Sequence, residues 1–214
     1  MIVEKIMKRD VYTLKPTDTV ESAIQMMSKK RIRHIPILDE NQNMVGIVSD
    51  RDIRDVLPSS LLSEWKKEDI TQPLSKVMTK DVIFGHPLDF VEEIAAQFYE
   101  HKIGCLPIIQ DQKLIGIVTE SDLLHTFIQL TGAHQPASQF EIKVENIAGK
   151  LAEVTSILRK RKLNILSVLV YPDDNEKYKI LVLRVQTMDP TKVIFDLKEE
   201  GYEVLWPNLP GMDA

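Results

Sequence analysis

The sequence predicts a mixed fold, α+β and α/β in class, with a tandem pair of βαββα units followed by a smaller domain of the order βαββαβ. Two observations predict it. A segment that begins at Met7 returns 71 residues later at Met78, and a repeat redefines what counts as a domain. After residue 138 the repeat ends and apolar residues recur in a different order. The predicted boundaries are 1–60 and 74–130 for the two units, 61–73 for a connector, 131–138 for a linker and 139–214 for the last domain.

The two copies match along most of their length. Met7-Lys8-Arg9-Asp10-Val11 returns as Met78-Thr79-Lys80-Asp81-Val82. After one deleted residue, Gly46-Ile47-Val48-Ser49 falls on Gly116-Ile117-Val118-Thr119. Duplication of one unit is the economical explanation, and each copy then has the order strand, helix, strand, strand, helix.

The first helix is predicted by Val20, Ala23 and Met27, which recur at helical intervals along one face. Asp18 and Glu21 have the spacing of a capping box, so Asp18 is the predicted N-cap.

Short apolar runs bounded by polar residues predict the paired strands of each copy. The runs are 33–38 and 44–48 in the first copy, and 105–109 and 114–118 in the second. Between the copies, residues 58–73 mix Ser, Glu, Lys and Pro with Leu61, Leu62 and Trp65, which predicts a connector that contains a short helix.

The last domain begins with Phe140, Ile142 and Val144, which alternate as in a strand. Further patterns predict a helix around 151–158, strands at 165–170 and 180–185, a helix around 193–197 and a strand at 202–206. The resulting order, βαββαβ, is the ferredoxin-like arrangement.

The composition excludes several classes of protein and of site. The single cysteine, Cys105, excludes an internal disulfide and a cysteine-based zinc cage. No stretch has the eighteen or so apolar residues of a membrane helix, and the N-terminus lacks the apolar region of a signal peptide, so we expect a cytoplasmic protein with no membrane partner. The net charge of −5 gives no overall attraction for nucleic acid.

Each copy carries groups suited to a nucleotide. A carboxylate can accept hydrogen bonds from two adjacent ribose hydroxyls, and phosphates seek hydroxyls, cations and the amides of a helix N-terminus. Ser49 with Asp52, and Thr119 with Asp122, close a strand and begin a helix in the two copies.

Both copies resemble cystathionine-β-synthase (CBS) motifs, and the pair resembles a Bateman module over roughly residues 1–130. The resemblance implies sheets that pack together and leave clefts for adenosine derivatives. It implies that Asp52 and Asp122 hold ribose and that Ser49 and Thr119 support ribose or phosphate. Arg33 and His34 resemble a basic pair that reaches phosphates, with Lys29, Lys30 and Arg31 nearby. The implied site residues are Thr13, Arg33, His34, Ile35, Pro36, Ser49, Asp52, Cys105, Leu106, Pro107, Thr119 and Asp122. The implied ligands are AMP, ADP, ATP, NADH or S-adenosylmethionine.

Two features of these residues leave alternatives open. The Ser49–Asp52 and Thr119–Asp122 pairs also have the spacing of helix caps, which form without a ligand. The second copy has Gly104 and Cys105 in place of Arg33 and His34, so the two clefts should differ in their preference for phosphorylated ligands.

The last domain resembles an ACT domain over about 75 residues, with Asn146 and Gly149 at the first strand–helix turn. Glycine there lets a small ligand approach the backbone. Asn146 and Ala148 stand where that family has Asp and Pro, which leaves both amino-acid binding and a purely dimerising role open.

The sequence predicts a regulator and not an enzyme. The five histidines show no metal-ligand spacing, and no phosphate-binding or dinucleotide Gly-rich motif occurs, so no metal site and no catalytic cofactor is expected. The whole arrangement resembles the acetoin-utilisation proteins of Gram-positive bacteria, which implies a homodimeric nucleotide sensor, with a partner enzyme, in acetoin or butanediol catabolism. The alternative is a dimeric scaffold for a partner enzyme that binds no small molecule.

Overall fold

The computed structural model describes residues 1–57 and 67–207. The chain divides into two compact units, Met1–Leu124 and His125–Ala214. The helices are α1 Val20–Lys30, α2 Asp50–Val56, α3 Lys67–Thr71, α4 Val91–His101, α5 Glu120–Thr131, α6 Lys150–Lys160 and α7 Thr191–Glu199. The strands are β1 His34–Leu38, β2 Met44–Ser49, β3 Cys105–Gln110, β4 Lys113–Thr119, β5 Ser138–Glu145, β6 Ile165–Pro172, β7 Tyr178–Val185 and β8 Glu203–Trp206.

The paired strands of each repeat are confirmed as antiparallel hairpins, β1 with β2 and β3 with β4. The strand expected before each first helix is reduced to one parallel bridge, Leu14 to Ile37 and Gly85 to Ile108. Pro16 and Pro87 follow these bridges within two residues. Since proline has no N–H to donate, the pairing cannot extend through it.

Helix α1 begins one residue later than the capping-box spacing predicts. Thr19 is the N-cap, and its hydroxyl accepts a hydrogen bond from the amide of Ser22 at 3.2 Å. The carboxylate of Asp18 instead accepts from the amide of Lys15 at 2.7 Å, so the prediction of Asp18 as N-cap is wrong. Helices α1 and α4 end alike, with Arg31 and Lys102 in the left-handed region at φ 53°.

The segments that precede the first helices exchange partners between the repeats. Val3 and Met7 of the first copy are buried in a cluster with Phe98 and Leu106 of the second copy. Conversely, Leu74 of the second copy is fully buried in the core of the first. The unit of sequence repetition is therefore not the unit of packing.

The backbone shows the same exchange. Lys8 exchanges amide–carbonyl hydrogen bonds of 2.9 and 3.0 Å with Ile117 in β4, and Thr79 does so with Ile47 in β2 at 2.9 Å. Two glycines permit this approach. A Cβ on Gly46 would lie 2.8 Å from the sulfur of Met78, and one on Gly116 would lie 2.7 Å from the sulfur of Met7.

The second unit contains a four-stranded antiparallel sheet with the strand order β6-β7-β5-β8. Helices α6 and α7 contribute Val154, Leu158, Val193 and Leu197 to the core that they form with β5 and β7. The elements follow the chain as βαββαβ from β5 to β8.

The predicted connector is described in part. Residues 58–66, which include Leu61, Leu62 and Trp65, lie outside the described residues. In the remainder, Lys67–Thr71 forms the short helix α3, and Leu74–Lys76 forms a single 3-10 turn.

Candidate functional site

A cavity of about 440 Å³ lies in the first unit, where both repeats contribute residues. The first repeat supplies residues 8–12 and 30–34, and the second supplies Gly104 before β3 and residues near the end of β4. The lining residues are Lys8, Asp10, Val11, Tyr12, Lys30, Arg31, Ile32, Arg33, His34, Gly104, Ile117, Thr119 and Ser121.

At the β4–α5 end of this cavity, Asp122 is held on both carboxylate oxygens. Oδ2 accepts hydrogen bonds from the amide of Thr119 at 2.9 Å and from its hydroxyl at 2.6 Å. Oδ1 lies 2.7 Å from the ammonium nitrogen of Lys8, in an ion pair whose Asp122 side chain is 14% exposed. Lys8 and Thr119 line the cavity, and Asp122 contacts both of them.

The equivalent pair in the first repeat is a complete capping box. Asp52 Oδ2 accepts from the amide of Ser49 at 2.7 Å and from its hydroxyl at 2.6 Å, while the amide of Asp52 donates to the Ser49 hydroxyl at 3.2 Å. In both pairs, the amide and the hydroxyl of the first residue donate to the carboxylate three residues later.

His34 contributes a titratable imidazole to the cavity. Burial lowers its pKa below the ordinary value, and Arg33 acts in the same direction, while the carboxylates of Asp50, Asp52 and Glu120 oppose the shift. The imidazole fits beside Gly104, where a Cβ would lie 3.2 Å from its Cε1. The glycine that replaces Arg33 in the second repeat therefore leaves room for the His34 ring of the first.

The lining is rich in positive charge. Lys8, Lys30, Arg31 and Arg33 oppose the single carboxylate of Asp10. The ammonium group of Lys30 lies 4.3 Å from the centre of the Tyr12 ring and 3.2 Å from its hydroxyl, so the aromatic ring holds one cation in place. This charge pattern suits an anionic ligand.

The structure brings three of the twelve predicted residues, Arg33, His34 and Thr119, to this cavity. Thr13 is half-buried and is not among its lining residues. Ile35 and Leu106 have fully buried side chains in the two cores, and Pro36 and Pro107 are buried in β1 and β3.

Cys105 is buried, and its thiol has a pKa raised to about 12, chiefly by burial and also by the charge of Asp122. It therefore stays protonated at neutral pH and is not an activated nucleophile.

The cavity also has lining residues that were not predicted, among them Lys8, Asp10, Tyr12 and Ser121. The mismatch of Lys8 with Thr79 in the repeat was a signal that pointed to one of them.

In the second unit, Asn146 and Gly149 lie at the β5–α6 turn as predicted. Gly149 has φ 94°, and a Cβ added to it would meet no atom within 4 Å, while the side chain of Asn146 donates to the carbonyl of Glu176 at 3.3 Å. Asn146 lines a cavity of about 490 Å³ with Tyr171 and Tyr178. Gly149 is not among its lining residues.

Two kinds of feature are absent from the described residues. No cluster of three or more His, Cys, Asp or Glu side chains is placed to hold a metal ion within residues 1–57 and 67–207. Over the same ranges, no helix has both the length and the apolar character to cross a membrane.

Comparison with protein families gives two matches to the CBS domain, at residues 3–59 and 74–128. A homoserine O-acetyltransferase of Methanobrevibacter ruminantium is 33% identical over 125 residues, which is 58% of this chain and 24% of that protein. The chain thus spans about a quarter of the length of the first curated relatives that it matches, and the alignment is confined to one part of them.

Solved structures give the same picture. A Vibrio cholerae protein described as an acetoin utilization protein (AcuB) is 35% identical over 64% of this chain and 98% of that chain, with a TM-score of 0.54. The CBS domain pair of protein MJ0100, in complex with 5'-methylthioadenosine and S-adenosyl-L-methionine, is 25% identical over 63% and 98%, with a TM-score of 0.53. CBSX2 in complex with AMP is 25% identical over 60% and 96%, with a TM-score of 0.52.

Proposed function

The chain belongs to the CBS domain family, and on that premise we propose that it is a regulatory protein that binds an adenine nucleotide in the cavity between its two repeats. One observation carries the proposal. A carboxylate and a hydroxyl at the start of α5 adjoin a cavity that also contains Arg33 and His34, so that groups suited to ribose and to phosphate lie in one place.

The ligand class is supported by the relatives. CBS pairs of the same fold are seen with AMP, with 5'-methylthioadenosine and with S-adenosylmethionine. Of the five candidates AMP, ADP, ATP, NADH and S-adenosylmethionine, the positive lining favours those with phosphate. S-adenosylmethionine carries a positive sulfonium group, which Lys30, Arg31 and Arg33 of the lining repel.

We assign no catalytic role to the chain. CBS domains are generally regulatory modules, and the matches to enzymes cover only the CBS region of those proteins. The described lining of the cavity includes one histidine, His34, and the hydroxyl groups of Tyr12, Thr119 and Ser121. The nearby thiol of Cys105 is buried and is not activated. A cofactor for catalysis is therefore not part of the proposal.

We infer that the C-terminal domain is ferredoxin-like and ACT-like, and that it transmits the ligand state to a partner enzyme. The βαββαβ order and the strand order β6-β7-β5-β8 support this inference. A homodimer and a role in acetoin or butanediol catabolism belong to the same proposal, and the 35% identity with the Vibrio cholerae protein supports the latter.

Isothermal titration with AMP tests the site, with Asp122→Asn and Asp52→Asn as a matched pair. Both carboxylates cap a helix through the same hydrogen bonds, but only Asp122 is held by two residues that line the cavity. Loss of a charged hydrogen-bond partner weakens binding by roughly 10- to 100-fold, so we expect Asp122→Asn to lower the affinity for AMP by that factor. Asp52→Asn should change the affinity of this cavity for AMP by no more than about twofold.

Two other outcomes contradict the proposal. Equal losses in both variants would mean that the carboxylates act only through folding. No heat and no thermal stabilisation with AMP, ADP, ATP, NADH or S-adenosylmethionine would favour the ligand-independent scaffold, because a ligand that binds the native state raises its stability by mass action.

A further inference from the structure

We propose that Lys8 selects phosphorylated ligands over neutral ones, because it occupies the ribose-binding carboxylate until a phosphate replaces that carboxylate as its partner. The inference rests on the proposed function and adds the chemical class of the ligand and the residue that sets it. It also assigns to the ion pair of Lys8 and Asp122 a role in binding in addition to any role in folding.

The ion pair links a residue that lines the cavity to the carboxylate of Asp122. Lys8 Nζ lies 2.7 Å from Asp122 Oδ1, while Thr119 occupies Oδ2 with its amide and hydroxyl. Lys8 and Thr119 line the cavity, and Asp122 does not. A ribose hydroxyl that approaches Oδ1 of Asp122 from the cavity therefore competes with the ammonium group of Lys8.

The side chain of Lys8 can change its rotamer although hydrogen bonds fix the backbone of the residue. The amide and carbonyl of Lys8 are both paired with Ile117, which anchors the residue on β4. Its side chain is 62% exposed and has a flexible four-carbon stem. Displacement thus requires a change of side-chain rotamer and leaves the fold in place.

The charges around Lys8 determine the free-energy cost of displacing its ammonium group. Lys30, Arg31 and Arg33 line the same cavity, so a released Lys8 adds a fourth cation to a positive cleft. A phosphate in the cleft gives Lys8 a new anionic partner. A neutral nucleoside leaves it without one, and this difference discriminates between ligands that have the same base and ribose.

The other capping carboxylate, Asp52 of the first repeat, provides an internal comparison. Near it, Thr79 of the second repeat occupies the position equivalent to Lys8 and has the same backbone pairing, to Ile47 in β2. Asp52, the equivalent carboxylate, accepts the same two hydrogen bonds from Ser49. Thr79 carries no charge, so the proposed selection belongs to the Asp122 side of the module only.

The test measures the affinities of AMP and adenosine for the full chain, its Lys8→Met variant and its Lys30→Met variant, with adenosine titrated directly and in competition with AMP. An exposed ion pair is worth up to about fivefold in an equilibrium constant. Lys8→Met should therefore bind adenosine about three- to fivefold more tightly, while its affinity for AMP, which loses the phosphate pair together with the competing ion pair, should change by less than about threefold. Lys30→Met removes a cation of the same lining that is not paired with Asp122, so it should weaken AMP without improving adenosine.

The outcomes separate this inference from the proposed function. Unchanged or weaker adenosine binding in Lys8→Met, in a protein that still binds AMP, overturns the role of Lys8 and leaves the nucleotide site standing. No binding of AMP or adenosine to the unaltered chain overturns both. Circular dichroism and thermal melting of each variant, with Lys8→Gln as a second substitution, distinguish a binding effect from a failure to fold.

Discussion

His34 gives the site a pH dependence that can be measured without a ligand. Burial lowers its pKa in the native state, with Arg33 acting in the same direction and Asp50, Asp52 and Glu120 opposing the shift. At pH values between the depressed native pKa and the ordinary value of 6.5, the unfolded chain binds more protons at this position. Protonation therefore favours unfolding, and stability falls as the pH is lowered through that window.

We expect the free energy of unfolding from urea titration to decrease as the pH is lowered below about 6.5, with a slope from this group of at most about 1.4 kcal/mol per pH unit. His34→Gln should flatten that part of the profile. His101→Gln is a control, since His101 is exposed at the end of α4. An identical slope in His34→Gln and the unaltered protein would contradict the burial argument.

At the residue scale, the sequence predicted part of the candidate site. Arg33, His34 and Thr119 lie at the cavity because each ends or begins an element that the hydrophobic pattern located correctly. Tyr12 was not predicted, and Lys8 was marked only by its mismatch with Thr79, because Lys8 reaches the cavity through a crossing between repeats that is not encoded in local spacing. Leu106 was among the implied site residues, but its side chain is fully buried in a core.

The crossed segments make an element-scale prediction. Leu74 belongs to the second repeat by sequence and is fully buried in the core of the first. Leu74→Ala should lower the free energy of unfolding by about 2–5 kcal/mol, measured by urea denaturation, because it removes buried methyl groups and leaves a cavity. In native-state hydrogen exchange, the backbone amides of β1 and β2 in Leu74→Ala should lose at least as much protection as those of β3 and β4.

The matched control is Leu88→Ala, since Leu88 is 62% exposed and precedes α4 in the same repeat. Its effect should stay within about 0.5 kcal/mol. Similar costs for the two leucines, or a loss of protection confined to β3 and β4, would argue against the exchange of segments.

Among the elements, helices and hairpins were predictable and their partners were not. Apolar periodicity located α1 and the strands β1 to β4 to within a residue or two. The leading strand of each repeat shrank to a bridge beside Pro16 and Pro87, and the N-cap moved from Asp18 to Thr19. A sequence repeat shows that two segments are alike, but it does not show in which core each segment is buried.

At the scale of the whole molecule, net charge and local charge differ in sign. The chain carries −5, yet four cations and one carboxylate line the cavity, so the positive field at the site is local. Composition could therefore exclude general attraction for polyanions without excluding a nucleotide site. The repeat and the βαββαβ order predicted the two-part organisation, but the limits of the domains and the oligomeric state remain predictions.

The measurement that tests the central claim most directly is hydrogen–deuterium exchange of the full chain with and without saturating AMP. A nucleotide held between the repeats should slow exchange at residues 8–12 and 32–34 of the first repeat and at 117–122 of the second, all in one titration. Unchanged exchange throughout, or protection confined to one repeat or to residues 138–207, would contradict a site built from both.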